Sequence, residues 1–582
     1  MLTRRVSLYA AAAAVLASIS RSSSAFAANR RSALQAKTMA GPDQNTLDKA
    51  LREFSKVVGN DWVFSSKDDV ALYRDPYSLL WGEADERTAS GAVAPTTTEE
   101  VVEILRIANQ YRIPIYPIST GKNLGYGGAA PALPGSVVLD LKRMNRVLEV
   151  NERNSYAVVE PGVSYFDLYN HIQERGLKLW IDCPGPGWGS LIGNALERGM
   201  GYTVAQYRDH FSAHCGMEVV LPAGDVMRTG MGAMPGAQTW QQFKAGFGPW
   251  VDGLFSQSNF GVVTKMGFWL MPQPEAFGVG TVTVPRYRDL IPLVDAINRL
   301  EASHIIQGSI SFSCPVAGTS LAGSPTAMVP KQQDLEIAAV LNDPKGFSPE
   351  RLDEIGQRKK IPFWSCDFNF YGPPKLIKAQ WSCAEDAFAA IPGAVCGLGD
   401  ILDLPLQQPQ IDALHDTVFF GIPTMRTFSI GPLTGTDFDG APVVGHVYFS
   451  PIIPRTGEAI IAANAVLGKI VRAHGLPVTP IGFPNAAFER SFLFVVGLPV
   501  THNAEANRKI RGIFKELIKA AAEQGWGEYR TTPAFYDEIM DTYSFNDHAL
   551  RRFHETLKDA VDPNGIMSAG RYGIWPKHLR EV

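Results

Sequence analysis

The sequence has few cysteines and no long apolar run, and these absences narrow the classes of protein it can encode. Only six of its 582 residues are cysteine, and none lies in a Cys-x-x-Cys spacing. A disulfide framework, a cysteine-rich metal site and a covalently attached c-type haem are therefore poorly supported. After the N-terminus, no stretch approaches the roughly 20 apolar residues that a membrane-spanning helix needs.

Charge of either sign is also scarce. Charged residues make up 19% of the chain, and the net charge is only -4. This balance gives no reason to expect a nucleic-acid partner. The hydrophobic content of 45% is ordinary for a globular protein. Because the length exceeds the roughly 250–300 residues that one hydrophobic core supports, at least two domains are expected.

The N-terminus has the pattern of an export signal over residues 1–27, a segment that is absent from the mature protein and is set apart from the fold. Arg4 and Arg5 precede a short apolar run, and small residues around Ala27 offer a cleavage site. The paired arginines resemble a twin-arginine signal, which carries proteins already folded around a cofactor. An ordinary secretory signal is the alternative. Either signal predicts an exported, periplasmic protein.

Helical and strand patterns alternate after residue 93. Thr97 and Glu100 stand at capping-box spacing before a helical period. Strands are predicted at 113–118, 136–141 and 157–160, and a helix at 166–176. The alternation favours an α+β or α/β unit over an all-helical or all-β one.

A glycine-rich loop, residues 119–128, lies between the first two of these strands. Its four glycines permit positive φ angles and present backbone N–H groups to an anion such as a pyrophosphate. Lys122 can neutralise part of that charge. The spacing matches neither the G-x-G-x-x-G dinucleotide motif nor the P-loop. Taken alone, the loop is equally compatible with a plain turn.

A second loop, residues 185–194, repeats this chemistry. Five of the nine residues from Gly185 to Gly193 are glycine or proline, and Ser190 and Asn194 can form hydrogen bonds. Two backbone-rich loops in one domain suit a long ligand that carries a pyrophosphate and a ring system.

Several segments together resemble the vanillyl-alcohol oxidase and p-cresol methylhydroxylase flavoproteins, over essentially the whole mature chain. The resemblance implies an α+β fold of two domains, with a PCMH-type FAD-binding domain and an antiparallel-sheet cap. The FAD domain is then formed by residues 28–275 and a returning C-terminal segment, 511–582, with the cap at 276–510. The segments that carry the resemblance are residues 117–131, 187–195, 199–203, 248–259, 525–530 and 562–567.

The resemblance also implies a site. In this family a para-alkylated phenol binds as its phenolate, and the positions that match its ligands are Tyr126, Tyr529 and Arg530, with Tyr202 nearby. FAD is the implied cofactor. The residues expected to contact it are Thr120, Gly121, Lys122, Asn123, Gly125, Gly187, Ser190, Gly193, Asn194, Val262, His446 and Arg571.

Two departures from the family pattern concern the flavin. His446 stands where some members bond the flavin covalently, but those members use an assisting N-terminal histidine, and this chain has none before His171. Gly185 stands where oxidase-like members have an aspartate near flavin N5. Asp182, Glu528 and His446 are all conceivable replacements, and the loop is closer to the methylhydroxylase branch.

The leading hypothesis is a hydroxylase of 4-alkylphenols. It would oxidise the benzylic carbon through a p-quinone methide and pass electrons to a separate c-type cytochrome. One alternative is an oxidase of the vanillyl-alcohol or eugenol type that uses O₂. Another is a flavin-binding protein without activity, or a carbohydrate- or alcohol-oxidising relative. A homodimer or larger assembly is expected from the resemblance.

Overall fold

The fold is described from a computed structural model of the chain. The described residues are 43–317, 335–341, 343, 348–414, 416–425, 437–476, 483–485 and 488–580, so the export signal predicted at 1–27 lies outside them. Within these ranges, no helix combines the length and apolarity required to cross a membrane.

The first layer is a small sheet flanked by two amphipathic helices. Its strands run in the order β1-β2-β4-β3, with β1 antiparallel to β2 and the other pairs parallel. Helices α1 and α3 bury Phe54 and Ile104 in one core with Val137. The strands are β1 (Val63–Phe64), β2 (Gly91–Val93), β3 (Ile115–Ile118) and β4 (Val137–Asp140), and the helices are α1 (Gln44–Val58), α2 (Lys67–Ala71) and α3 (Thr98–Tyr111).

Helix α3 begins where the sequence predicts it. The Thr97 hydroxyl accepts a hydrogen bond from Glu100 N at 3.1 Å, as an N-cap should. The Glu100 carboxylate accepts from Thr96 N at 2.6 Å, one residue before the N-cap. The predicted helix start is therefore confirmed. In an ideal capping box the Glu100 carboxylate would accept from the N-cap residue Thr97, whereas here it accepts from Thr96.

A second, antiparallel sheet follows the first sheet in the chain. Its strand order is β5-β6-β10-β8-β9, and the short strands β7 and β11 pair separately. The strands are β5 (Val147–Asn151), β6 (Tyr156–Val159), β7 (Leu179–Trp180), β8 (His214–Val220), β9 (Val226–Arg228), β10 (Val262–Trp269) and β11 (Met271–Pro272), and the helices of this region are α4 (Tyr165–Glu174), α5 (Leu191–Leu196) and α6 (Ala205–Arg208).

Two antiparallel sheets follow, with the orders β13-β14-β12-β15 and β17-β18-β21-β19. One apolar core joins them, since Phe312 of β13 and Phe492 of β21 lie in it with Phe449 of β18. The strands are β12 (Ala276–Val284), β13 (Ile310–Ser313), β14 (Trp364–Gly372), β15 (Val395–Leu398), β16 (Leu402–Asp403), β17 (Asp437–Phe438), β18 (Ala441–Phe449), β19 (Ile452–Pro454), β20 (Phe483–Asn485) and β21 (Ser491–Thr501). The helices are α7 (Leu290–Ala302), α8 (Leu335–Leu341), α9 (Pro349–Lys359), α10 (Pro374–Ala389), α11 (Gln408–Ala413) and α12 (Gly457–Ala473).

The C-terminal segment bonds to the first sheet. Ile115 N of β3 donates to Ile566 O at 2.7 Å, and Ser568 N donates back to Ile115 O at 2.8 Å. The fully buried Lys558 pairs with Asp562 at 2.7 Å and donates to Asn259 O at 2.8 Å. The helices here are α13 (Ala504–Glu523), α14 (Tyr536–Thr542), α15 (Phe545–Val561) and α16 (Lys577–Arg580).

The predicted α+β class is confirmed by this mixture of helices with antiparallel sheets. The strands predicted at 113–118, 136–141 and 157–160 are observed within two residues of those bounds, as is the helix predicted at 166–176. The short strand β11 pairs with β7 through Met271 and Pro272, just before the predicted boundary at residue 275.

Candidate active site

The glycine-rich loop leaves β3 and presents a row of backbone donors. Tyr126 N and Gly128 N both donate to Asn123 O, at 3.1 and 3.0 Å, which folds the second half of the loop on itself. Within the described part of the chain, no protein acceptor engages the N–H groups of residues 120–123. A run of unpaired donors in a partly exposed loop suits an anion.

The loop also lies directly against strand β18. A Cβ atom added to Gly125 would lie 2.9 Å from His446 O, and the φ angle of Gly125 is +83°. Both values require glycine at this position. The first glycine of the loop, Gly121, has a φ of +66°. The loop therefore brings its donors next to the strand that carries His446.

The second loop packs against the first. Ser190 caps α5, accepting from Gly193 N at 3.1 Å while its hydroxyl donates to Pro161 O at 2.6 Å. A Cβ on Gly193 would lie 2.2 Å from the Ser119 hydroxyl oxygen. The side-chain oxygen of Asn194 is buried, with no partner in the described part of the chain. The two loops thus form one cradle, which we define as residues 119–128 and 187–194.

The other residues predicted to contact the cofactor lie around this cradle. Gly187 N donates to Thr424 O at 2.9 Å. The exposed Lys122 has its Nζ 5.0 Å from the Trp188 ring centroid. Val262 is buried in β10 and pairs with Val220. Arg571 donates to the Tyr116 hydroxyl at 2.7 Å and pairs with Glu197. Thr120 and Asn123 belong to the row of backbone N–H donors formed by residues 120–123.

An arginine and two tyrosines meet beside the cradle. The Cζ atom of Arg530 is 4.0 Å from the centroid of the Tyr126 ring and 5.2 Å from that of Tyr529. Gln257 holds this segment by donating to Tyr529 O at 2.8 Å. The structure thus brings Tyr126 together with two adjacent residues, Tyr529 and Arg530, that follow it about 400 positions later in the chain.

Arg530 has no anionic partner. Within the described residues it forms no ion pair, its Nε atom is buried without a hydrogen-bond partner, and it donates to the carbonyl oxygen of Glu197 at 3.4 Å. Burial lowers the pKa of Arg530, but the phenols of Tyr126 and Tyr529 raise it more, so the guanidinium stays charged. Because an unpaired charge in a desolvated site is costly, this arrangement suits an anionic ligand.

Tyr448 joins this group and was missed from the sequence. Its ring centroid lies 6.3 Å from that of Tyr126 and 4.4 Å from that of His446. Burial raises the pKa values of Tyr202, Tyr448 and Tyr529, so all three hydroxyls stay protonated at neutral pH. The signal for Tyr448 was its position two residues after His446, which places both on one face of a strand.

Tyr202 lies at the edge of the group, where its ring is 5.7 Å from that of Phe419. Of the conceivable replacements for the missing aspartate, Asp182 is fully engaged. One of its oxygens accepts from Thr203 N at 2.8 Å, and the other lies 2.9 Å from His210 Nε2. Asp182 therefore holds the loop around Thr203 in place.

Known proteins are similar to this chain both in the region that contains the cradle and over most of its length. A family model described as an FAD binding domain matches residues 89–230. The flavoprotein subunit of 4-cresol dehydrogenase [hydroxylating] from Pseudomonas putida is 32% identical, over 92% of this chain and 97% of its own length. The chain belongs to the vanillyl-alcohol oxidase and p-cresol methylhydroxylase family.

Solved structures of this family have the same architecture. The 4-ethylphenol oxidase from Gulosibacter chungangensis is 33% identical, covers 93% of this chain and all of its own, and superposes with a TM-score of 0.76. The p-cresol methylhydroxylase structure with substrate bound is 30% identical, covers 92% and 98% of the two chains, and also gives 0.76. The chain is therefore an FAD-dependent oxidoreductase with the two-domain fold of this family.

The cradle fits the FAD that membership in this family requires. Its row of unpaired N–H groups matches a pyrophosphate, and the buried oxygen of Asn194 remains as an acceptor. Residues 120–125 would hold the phosphates. The half-buried His446 on β18 lies next to these residues, because its carbonyl oxygen adjoins Gly125.

The contact between Gly125 and β18 can be tested through FAD content. A Gly125→Ala variant should lose at least half of its bound FAD, because its Cβ would strike His446 O and its φ is +83°. The absorbance ratio at 450 and 280 nm measures this loss. Gly135→Ala is the matched control, since its φ is +81° and nothing lies within 4 Å of the added carbon. Equal FAD content in the two variants would contradict the role of the contact.

Proposed function

We propose that the enzyme oxidises a para-alkylphenol at its benzylic carbon, and that the phenol binds as its phenolate between Arg530, Tyr126 and Tyr529. The observation that carries this proposal is the charged, unpaired guanidinium of Arg530 against two phenol rings. The relatives named for cresol and ethylphenol support the same substrate class.

The positive charge of Arg530 would favour the ionised form of a bound phenol. A free phenol has a pKa of about 10, so near neutral pH it must be stabilised to ionise. Arg530 favours the anion by charge, and the hydroxyl groups of Tyr529 and Tyr126 can donate hydrogen bonds to its oxygen. Because a phenolate pushes electron density through its ring, the benzylic C–H becomes a hydride donor and a p-quinone methide results. Bound FAD supplies the hydride acceptor at its N5 atom.

The fate of the quinone methide is hydroxylation or desaturation. Water adds to the benzylic carbon to give an alcohol, or a proton leaves the neighbouring carbon to give an alkene. Our proposal is the hydroxylase course, on the strength of the methylhydroxylase-like loop at 185–188. The export signal supports a periplasmic enzyme, and the family supports a homodimer or larger assembly.

The role of Arg530 separates this proposal from a flavin-binding protein without activity. An Arg530→Ala variant should keep its FAD and lose about 100-fold or more in kcat/KM on 4-ethylphenol, since it removes the charge that stabilises the phenolate. Steady-state kinetics with the FAD spectrum recorded in parallel measures both. Arg52→Ala is the control, because that side chain is exposed on α1, away from the cradle and from Tyr126 and Tyr529. Unchanged turnover of Arg530→Ala would defeat the assignment.

We further propose that a separate c-type cytochrome takes the electrons. The Pseudomonas putida relative is named as a flavoprotein subunit, whereas the Gulosibacter relative is named as an oxidase. Stopped-flow mixing of the substrate-reduced enzyme should show slow reoxidation by O₂ and fast reoxidation by oxidised cytochrome c. Rapid reoxidation by O₂ with stoichiometric H₂O₂ would establish the oxidase alternative instead.

A covalent flavin bond through His446 is the last part of the proposal. Burial lowers the pKa of His446 to about 4, so its imidazole is neutral and can act as a nucleophile at physiological pH. The ring of Tyr77 lies 5.6 Å from that of His446 and packs beside it.

Acid precipitation tests the attachment point. Wild-type protein should keep its yellow colour in the pellet, and His446→Ala should release FAD to the supernatant. The control is His171→Ala, which changes a histidine on α4 and should keep the colour. A colourless wild-type pellet would show that the flavin is bound without a covalent bond.

A further inference from the structure

Glu528 is a buried carboxyl that the proposed chemistry does not use. It stands immediately before Tyr529 and Arg530 and is 5% exposed. Both of its oxygens face one donor, Ser450 N, at 2.9 and 2.8 Å. Among the described residues, no lysine, arginine or histidine forms an ion pair with it. A buried carboxylate without a cation is unusual, since charges in protein interiors are normally paired.

The contacts of Glu528 connect two parts of the active site. Ser450 directly follows β18, the strand that carries His446 and Tyr448. The backbone beside it is joined as well, because Ile452 N donates to Gly527 O at 2.9 Å. The Tyr543 hydroxyl, from just after α14, donates to Glu528 O at 2.8 Å. Glu528 therefore fixes the segment with Tyr529 and Arg530 to the end of β18.

The charge state of the Glu528 carboxyl affects the neighbouring guanidinium of Arg530. Burial raises the pKa of Glu528 well above its ordinary value, against the smaller lowering effects of Ser450 N–H and Arg530. The titratable groups that face it are Arg530 and Tyr529 on its own segment and Tyr543, while β18 contributes only a backbone N–H. An ionised Glu528 would partly neutralise Arg530 and so compete with a phenolate for that charge.

We propose that Glu528 is a positioning residue that is held uncharged: it fixes Tyr529 and Arg530 against β18 and leaves the charge of Arg530 for the substrate. This inference rests on the proposed function only for its catalytic part. The uncharged state itself is a property of the folded chain and is tested without a substrate.

The first experiment compares thermal unfolding of the FAD-loaded Glu528→Gln variant and the wild type from pH 5 to pH 8. In the unfolded chain a glutamate has its ordinary pKa of 4.5, whereas burial raises the pKa of the folded Glu528 well above that value, so the buried acid stays protonated. The wild type therefore loses stability as pH rises through this window, and the amide does not. The Tm of Glu528→Gln relative to wild type should rise by about 2 °C or more between these pH values.

Glu160→Gln is the matched control for that experiment. Glu160 is 1% exposed but pairs with Arg146 at 2.7 Å, so its amide variant should be less stable than wild type at pH 8. Parallel Tm curves for Glu528→Gln and wild type would overturn the uncharged state of Glu528.

The second experiment measures kcat/KM for 4-ethylphenol from pH 6 to pH 9. The ratio of Glu528→Gln to wild type cancels the ionisation of the substrate. It should stay within about twofold of one across this range, because the amide, like the uncharged acid, leaves the charge of Arg530 for the substrate. Glu528→Ala should lose about tenfold or more at every pH, because the link to Ser450 is gone.

Each outcome bears on one part of the inference. A loss of more than tenfold in Glu528→Gln at pH 6 would mean that the carboxylate form is required, and would overturn the proposal. If wild type fails to oxidise 4-ethylphenol and other para-alkylphenols, the proposed function fails. The Tm comparison still decides whether Glu528 is uncharged.

Discussion

The site depends on one unbalanced charge, the guanidinium of Arg530. Two other arginines of the described chain are compensated by carboxylates: the buried Arg208 pairs with Glu301 at 2.7 Å, and the half-buried Arg571 pairs with Glu197. Desolvated charges normally need such partners, since removal of one partner is strongly destabilising. The exception at Arg530 lies among phenol rings rather than carboxylates. A site of this kind gains most from a ligand that becomes anionic on binding, which is what a phenol does.

That charge is held in place by segments that are distant in sequence. Tyr126 comes from the loop after β3, Tyr448 and His446 come from β18, and Arg530 precedes α14. Gly125 permits the closest approach between two of these segments, because any side chain there would strike the backbone of β18. The C-terminal segment is held by Lys558, whose buried ammonium group pairs with Asp562 and donates hydrogen bonds to two backbone carbonyls. Backbone contacts rather than surface ion pairs therefore set the geometry of the site.

The local elements of this structure could be predicted from the sequence, but the contacts between residues that are distant in the sequence could not. Strand β3, helix α3 and the loop between β3 and β4 follow from apolar periodicity, a threonine cap and glycine spacing. Tyr448 was missed because the face of a strand is known only once its pairing is known. The pairing of Arg571 with Glu197 joins residues that no local pattern connects. Likewise, the burial of Glu528 depends on Ser450, which is 78 residues away.

Three side chains could replace the aspartate that oxidase-like family members have at the position of Gly185. Asp182 is already bonded to Thr203 and His210, so releasing it to act as a base would break buried hydrogen bonds. Glu528 is held protonated, and His446 has a pKa of about 4, which makes it a weak base. None of the three side chains is suited to deprotonate water efficiently at neutral pH. Under the proposed function, the site would serve to ionise the phenol rather than to activate water, and the electrophilic quinone methide itself would provide most of the driving force for water addition.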